Sequence, residues 1–465
     1  MKSRSLTIRI CLLSLLLVVA ALPMFAARGS ADFTRYVAIG DSLTSGYESS
    51  SLVVGHQIWS FPKIIAQQAG TPDFQQPLIS EPGIPAELVL KSISPLIIGP
   101  KASGYGAPMN LTLPRPYNNL GIPGARVHDL ITLNGSEQNP NPYFQIILRG
   151  QASAAAQTIA LQPTFITVWI GNNEVLGGVT SGMPAAMTPL ENFTADYNTL
   201  LQQLTLGAPN AGMITATVPP VSAIPFANVI PPVVLDPTTN QPLLGPDGHP
   251  IFYIAQVGDQ VVQLGPGSKV LLTAQSFLQQ GYGFPAALKP LVPLPHVGEP
   301  LPDAVTLTAD EIAQIEQRRT DVNAAIKAAA SSLDIPVLDS DALFATWQTG
   351  IHIAGLTFNT GFITGGLFSL DGVHPTDIGY TIVANDFIRK INEAYGSRIP
   401  QATLIPFFQN NAIGLQGGSS TMVPFLAPGA LQTMTLQRFS TLDDFSRGVA
   451  LPKQPVPVRP APATF

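Results

Sequence analysis

A single cysteine, Cys11, stands in the 465 residues, so no intramolecular disulfide can form and stability must come from packing. Charge is scarce as well. Asp, Glu, Lys and Arg make up 11% of the chain, against about 25% in an ordinary globular protein. No run of Lys and Arg forms a basic patch, and the net charge is −6. Both facts argue against nucleic acid or anionic membrane surfaces as partners. His56, His128, His296 and His352 show no H-E-x-x-H or comparable spacing. With no cysteine ligands either, neither a metal site nor a cofactor is expected. G-x-S-x-G is also missing, which removes the nucleophile elbow of the larger α/β-hydrolase fold.

What the chain does contain is 45% hydrophobic residues with 40 glycines and 45 prolines. That composition describes a loop-rich chain with enough apolar surface to fold. Near the N-terminus, Lys2, Arg4 and Arg9 precede the apolar run "CLLSLLLVVAALPMFA" and the small residues of "AARGSA". A charged, then apolar, then small-residue order predicts an export signal over residues 1–31, cleaved between Ala26 and Ala31. The apolar run is near the short limit of about 17 residues for a spanning helix, so no stable membrane span is expected after cleavage. Cys11 would leave with the signal.

Along the rest of the chain, apolar runs at Tyr36–Ile39, Asn118–Leu120, Thr164–Ile170, Met213–Val218 and Ile335–Leu338 predict strands. They alternate with helix-like stretches at Ile58–Ala69, Gln151–Leu161, Glu191–Leu206, Ala309–Leu333 and Thr376–Tyr395. Such alternation predicts a parallel sheet covered by helices. Thr308 and Glu311 have the spacing of a capping box, and Thr376 is placed to cap the last helix. Two Pro-rich insertions, residues 71–117 and 219–307, interrupt the pattern of a domain over 32–400. Loops of this length serve as lids or binding loops, or pack as a decorative subdomain at the sheet edge; both readings stand. Residues 401–465 form an extension with a Pro-rich end. No internal repeat is present.

The stretch "YVAIGDSLTSGY" reads as a buried strand ending in a tight turn that opens a helix. In such a turn Asp41 or Ser42 can simply cap the helix. Three further segments fall beyond strand ends: "NNLGIPGARVHDL" with Gly124, "VWIGNNEVLGG" with Asn173, and "SLDGVHPTDIGY" with Asp371 and His374. Taken singly, each has a bland reading as turn chemistry. Functional groups of open α/β sheets gather beyond the carboxyl ends of the strands, so all of these can meet.

In these four blocks, in this order, the sequence resembles the GDSL, or SGNH, hydrolase family over residues 35–400. Ser42 in "GDSL", Gly124, Asn173 in "GNNE" and His374 with Asp371 match the family's Ser, Gly, Asn and His blocks. The departure is Glu174, where the family usually carries Asp. The resemblance implies a flavodoxin-like three-layer α/β/α fold with long Pro-rich insertions. It also implies a serine ester hydrolase of the GDSL-type esterase or lipase kind, acting through an acyl-enzyme on a small-molecule or lipid-like ester. The chemistry needs these residue types. A serine hydroxyl requires a neighbouring base, His374 can accept its proton, and Asp371 can hold the imidazole in the right tautomer. The backbone N–H groups of Ser42 and Gly124 and the amide of Asn173 would then donate to an oxyanion. A carbohydrate O-deacetylase using the same residues and a non-catalytic binding protein on the same scaffold are the alternatives. His249 in "PDGHP" imitates the closing block, but Asp247 is two residues away and the segment reads as a turn.

Overall fold

The structure is a computed structural model that describes residues 30–93, 96–136, 141–236, 239–353, 355–405 and 407. Residues 1–29 of the expected export signal and nearly all of the C-terminal extension lie outside the described residues. Five parallel strands form the central sheet: β1 (Tyr36–Gly40), β2 (Asn119–Gly121), β3 (Phe165–Trp169), β4 (Gly212–Ala216) and β5 (Val337–Leu338), in the spatial order β5-β4-β3-β1-β2. This is the flavodoxin-like order of a doubly wound fold. Every residue of β1 and β3 is buried, as a parallel sheet covered on both faces requires.

The helices that matter for the site are α1 (Ser42–Ser45), α2 (Phe61–Gln68), α3 (Val127–Thr132), α4 (Ala154–Ala160), α5 (Asn172–Thr180), α6 (Leu190–Gly207), α7 (Ala309–Ser332), α8 (Ser340–Thr349) and α9 (Asp377–Tyr395). Side chains alternate across β3, so Phe165 and Trp169 share one face. There Trp169 meets Phe61 of α2 and Phe387 of α9, and Phe165 meets Tyr395 of α9. The opposite face carries Thr215, whose hydroxyl bonds Tyr197 of α6 over 2.5 Å; α6 packs in turn on α3, α4 and α7. Three layers result. Among the described residues no helix is long and apolar enough to cross a membrane.

All five expected strands and all five expected helices are present, with shifted ends. Helix α2 begins at Phe61 rather than Ile58 because Pro62 lacks an N–H and is tolerated only in a first turn. Ser153 starts α4 by accepting from the Ala156 N–H. Thr308 and Glu311 make the reciprocal capping box of α7, and the Thr376 hydroxyl accepts from Gly379 N–H at the head of α9.

The second insertion has a small core of its own. Ile230, Val234, Val270, Leu278, Leu288 and Leu301 bury one another there; Leu271 of "VLLTAQSFL" joins the main core instead, and of "LKPLVPLP" only Leu288 is buried while Leu291 is exposed. The first insertion carries a hairpin, Leu88–Ile93 with Leu96–Pro100. Leu88, Leu90 and Ile98 from this hairpin and Val229 and Leu272 from the second insertion converge on Phe362, Ile363 and Leu370. Both insertions therefore buttress the loop that leads into Asp371.

Candidate active site

The chain leaves β1 for β2 on one side and then crosses back to β3 on the other, so the reversal in strand order falls between β1 and β3. The register aligns Gly40 with Gly121 on one neighbour and with Trp169 on the other. The three segments that follow therefore emerge side by side. Gly40 permits this closeness: a Cβ there would lie 2.2 Å from Thr44 Oγ1 and 2.3 Å from the Trp169 carbonyl.

At the first of these turns the cap and the reactive group are different residues. Asp41 caps α1, with Oδ1 accepting from the Leu43 N–H over 3.0 Å. Its other oxygen accepts from Asn172 Nδ2 over 2.8 Å. Burial pushes this carboxyl up to about 6, against the bonds from Asn172 and Leu43. Because Asp41 does the capping, Ser42 Oγ is left to face His374 Nε2 at 2.9 Å. His374 Nδ1 lies 2.9 Å from Asp371 Oδ2. Both His374 and Asp371 are almost wholly buried.

Asp371 is held from several directions. Its Oδ1 accepts from the Val373 and His374 N–H groups over 2.8 and 2.9 Å and from the Ser369 hydroxyl over 3.1 Å. Its Oδ2 also accepts from the Ser50 N–H over 2.8 Å. Burial acts to raise this carboxyl, but the His374 ring and N–H and the Ser50 N–H outweigh it and hold the value at about 2. Ser49 and Ser50 both have left-handed backbones, with φ of 50° and 57°. That sparsely populated conformation points their N–H groups at Ser369 Oγ and Asp371 Oδ2. Sequence reading missed these two serines, because backbone donors carry no side-chain signature.

Gly124 sits in the turn after β2 with φ 78°, where a side chain would be strained. Asn173, in the first turn of α5, donates one amide hydrogen to the Ala125 carbonyl over 2.8 Å. This bond ties the asparagine to the Gly124 turn and leaves the second hydrogen of the same amide for another acceptor. Ser42 opens α1, so no intrahelical carbonyl can accept its N–H. Glu174, the departure from the family pattern, spans to the head of α3, where Oε1 accepts from the Val127 N–H over 2.7 Å. Burial drives its carboxyl up to about 8. His249 is exposed on a turn whose Asp247 accepts from the His249 N–H, and takes no part in this site.

A serine hydroxyl bonded to an imidazole, itself bonded to a buried carboxylate, is the arrangement that removes a hydroxyl proton during nucleophilic attack. The family model of the GDSL-like lipases and acylhydrolases matches residues 36–387. The chain belongs to the GDSL-like lipase/acylhydrolase family. It is a hydrolase acting on ester bonds.

Solved structures similar to this GDSL hydrolase include an acetylxylan esterase from Geobacillus stearothermophilus, 14% identical, covering 81% of this chain and 100% of that one at a TM-score of 0.34. A family 3 carbohydrate esterase from Clostridium thermocellum is 12% identical over 78% of this chain and 96% of that one, with a TM-score of 0.31. An α/β hydrolase from the metagenome of Lake Arreo, Spain, is 12% identical over 78% and 98% of the two chains, with a TM-score of 0.33. No curated protein sequence matches the chain.

Beside Ser42 and His374 the hydrolase has an apolar cleft of about 60 Å³, walled by Val221, Ile224, Leu343, Phe344, Trp347 and Phe368. One water needs about 10–15 Å³ on the same measure, so several solvent molecules or a short acyl chain fit. Among the described residues of the second insertion, its opening residues Pro219, Val221 and Ile224 reach this cleft.

Proposed function

We propose that the protein is an exported esterase that cleaves carboxylic esters of short to medium acyl chains through an acyl-Ser42 intermediate. The observation that carries the reading is the continuous line of two 2.9 Å contacts from Ser42 Oγ through the His374 ring to Asp371. In the proposed reaction Ser42 Oγ bonds the ester carbon while His374 Nε2 takes the hydroxyl proton. The carbonyl electron pair moves onto oxygen, where the N–H groups of Ser42 and Gly124 and the free amide hydrogen of Asn173 stabilise the charge. Collapse expels the alcohol, which takes the proton back from Nε2. Water then attacks the acyl-serine with the same base, releasing the acid and restoring Ser42. Asp371, ionised far below neutral pH, holds the ring tautomer and stabilises the imidazolium.

The acyl preference rests on the cleft. Its apolar walls favour a hydrocarbon chain over a bare acetyl group, because each buried CH₂ contributes about 0.8 kcal/mol. Export rests on the basic, apolar and small-residue order of residues 1–31. Fluorophosphonate labelling followed by peptide mass spectrometry tests the nucleophile: the adduct belongs on Ser42, and an adduct elsewhere or none overturns the reading. A series of esters of one alcohol tests the acyl preference. An acetyl optimum would point to the O-deacetylase alternative. N-terminal sequencing of the protein recovered from outside the cytoplasm tests export, with a new terminus expected between residues 26 and 32.

A further inference from the structure

We infer that Glu48, His56 and Asp377 form a binding site for one divalent transition-metal ion of the zinc or manganese type, which clamps the segment behind Ser42 to the head of α9. The three come from separate parts of the chain. Glu48 closes a tight loop with Ser51, His56 lies on the helical turn Val54–Gln57, and Asp377 is the first residue of α9. Their ligand atoms all lie within 4.8 Å of one another. His56 Nδ1 is 3.1 Å from Asp377 Oδ1 and 3.4 Å from Glu48 Oε2. Those separations fit the edges of a tetrahedral shell, which come to about 3.3 Å when metal–ligand bonds are about 2.0–2.2 Å.

Two further observations point to a cation. Glu48 Oε2 and Asp377 Oδ2 are buried with no hydrogen-bond partner, although the residues are only 3% and 0% exposed. Buried carboxylate oxygens are rarely left so. The second observation is charge. Around His56 stand the carboxylates of Glu48, Asp377 and Glu87, and Lys101 Nζ reaches Glu87 Oε1 over 2.5 Å. With all three carboxyls ionised, a protonated His56 still leaves net negative charge here, since Lys101 Nζ is shared with Glu81 Oε2 at 2.8 Å. A divalent ion between Glu48 and Asp377, with His56 neutral, would offset the two carboxylates nearest the ring. Nδ1 is then the ligand atom, and Nε2–H donates to Glu87 Oε2 at 3.0 Å, the outer carboxylate that commonly orients a ligating imidazole. One imidazole with two carboxylates suits zinc or manganese, whereas calcium takes an all-oxygen shell.

The ion would act on the esterase site through positioning. Glu48 is two residues from Ser50, whose N–H bonds Asp371 Oδ2, and Asp377, the first residue of α9, is three residues beyond His374. The site thus ties the segment carrying Ser50 to the one carrying His374, both of which bond Asp371. Sequence analysis expected no metal here, because ligands 321 residues apart form no local motif.

The test uses the full chain without its export signal, stripped with dipicolinate and then given zinc alone. Metal analysis should find about one zinc per chain after dialysis, and thermal unfolding should shift upward by at least about 5 °C. Glu48→Gln and Asp377→Asn, which keep shape and lose charge, should each lose the bound zinc and the shift. No stoichiometric zinc and no shift in the unmodified protein would overturn the inference, leaving a proton shared between Glu48 and Asp377. Zinc retained by both variants would overturn it equally, since the metal would then sit elsewhere. Neither outcome depends on esterase activity.

Discussion

Asn172 Nδ2 donates to Asp41 Oδ2 over 2.8 Å, joining the turn that carries Ser42 to the turn that carries Asn173. Both partners are buried, so Asn172→Ala leaves a carboxyl oxygen without its donor. The expected cost is about 1–3 kcal/mol of stability, read as a lower urea midpoint, with the carboxyl of Asp41 pushed further upward. A midpoint unchanged from the parent would show that the bond holds nothing in place.

Asn173 has a different role despite its adjacency. Asn173→Ala should lower kcat by roughly 10²–10³-fold with little change in KM, because its spare amide hydrogen acts on charge formed in the transition state. Steady-state kinetics beside Asn172→Ala separates the two. If the 172 variant loses turnover as much as the 173 variant at full folding, the whole turn is structural.

Ser42→Ala should abolish turnover and probe labelling while unfolding at the parent temperature, since its hydroxyl meets His374 and not the core. His374→Ala should lose orders of magnitude, and Asp371→Asn somewhat less, near the factor of about 10⁴ that such a change costs serine proteases. His249→Ala should be nearly silent, as an exposed turn residue. The reverse ranking of the two histidines would relocate the site to the second insertion.

Above about pH 4 stability should fall as pH rises. Asp41 and Glu174 have folded values raised to about 6 and about 8 from 3.8 and 4.5. Their contribution is therefore fully present below about pH 4 and is lost as pH passes through each folded value. Asp371 acts in the opposite sense: lowered to about 2, it adds stability above about pH 4 that disappears on acidification. Glu174→Gln should flatten the decline between about pH 4.5 and pH 8, measured by urea unfolding at several pH values. A parallel decline in the variant would mean that Glu174 is ionised throughout.

The cleft predicts acyl-chain selectivity. With about 0.8 kcal/mol per buried CH₂, kcat/KM should rise by up to about fourfold per methylene from acetyl toward hexanoyl esters until the cleft is full. Leu343→Trp, which fills the space, should move the optimum to acetyl while leaving Ser42 labelling intact. An unchanged chain-length profile in that variant would place the acyl group elsewhere.

Much of this protein was settled by the sequence alone, where the determinants are local. Buried strands show as short apolar runs, caps as Thr308 with Glu311 and as Thr376, and Asp371 lies three residues from His374, so one tight loop delivers both. Only the tertiary structure decided what separate segments do to one another. Strand order brought Ser42, Gly124 and Asn173 to one edge. Apolar runs of the second insertion divided between a small core of their own, the main core and the loop before Asp371, since hydrophobic burial is non-directional and composition cannot say which surfaces meet. His56 carries no signal in its own neighbourhood. Folding places it between Glu48, Glu87 and Asp377, and in that low-dielectric interior the nearest charges, rather than the residue's type, set its chemistry.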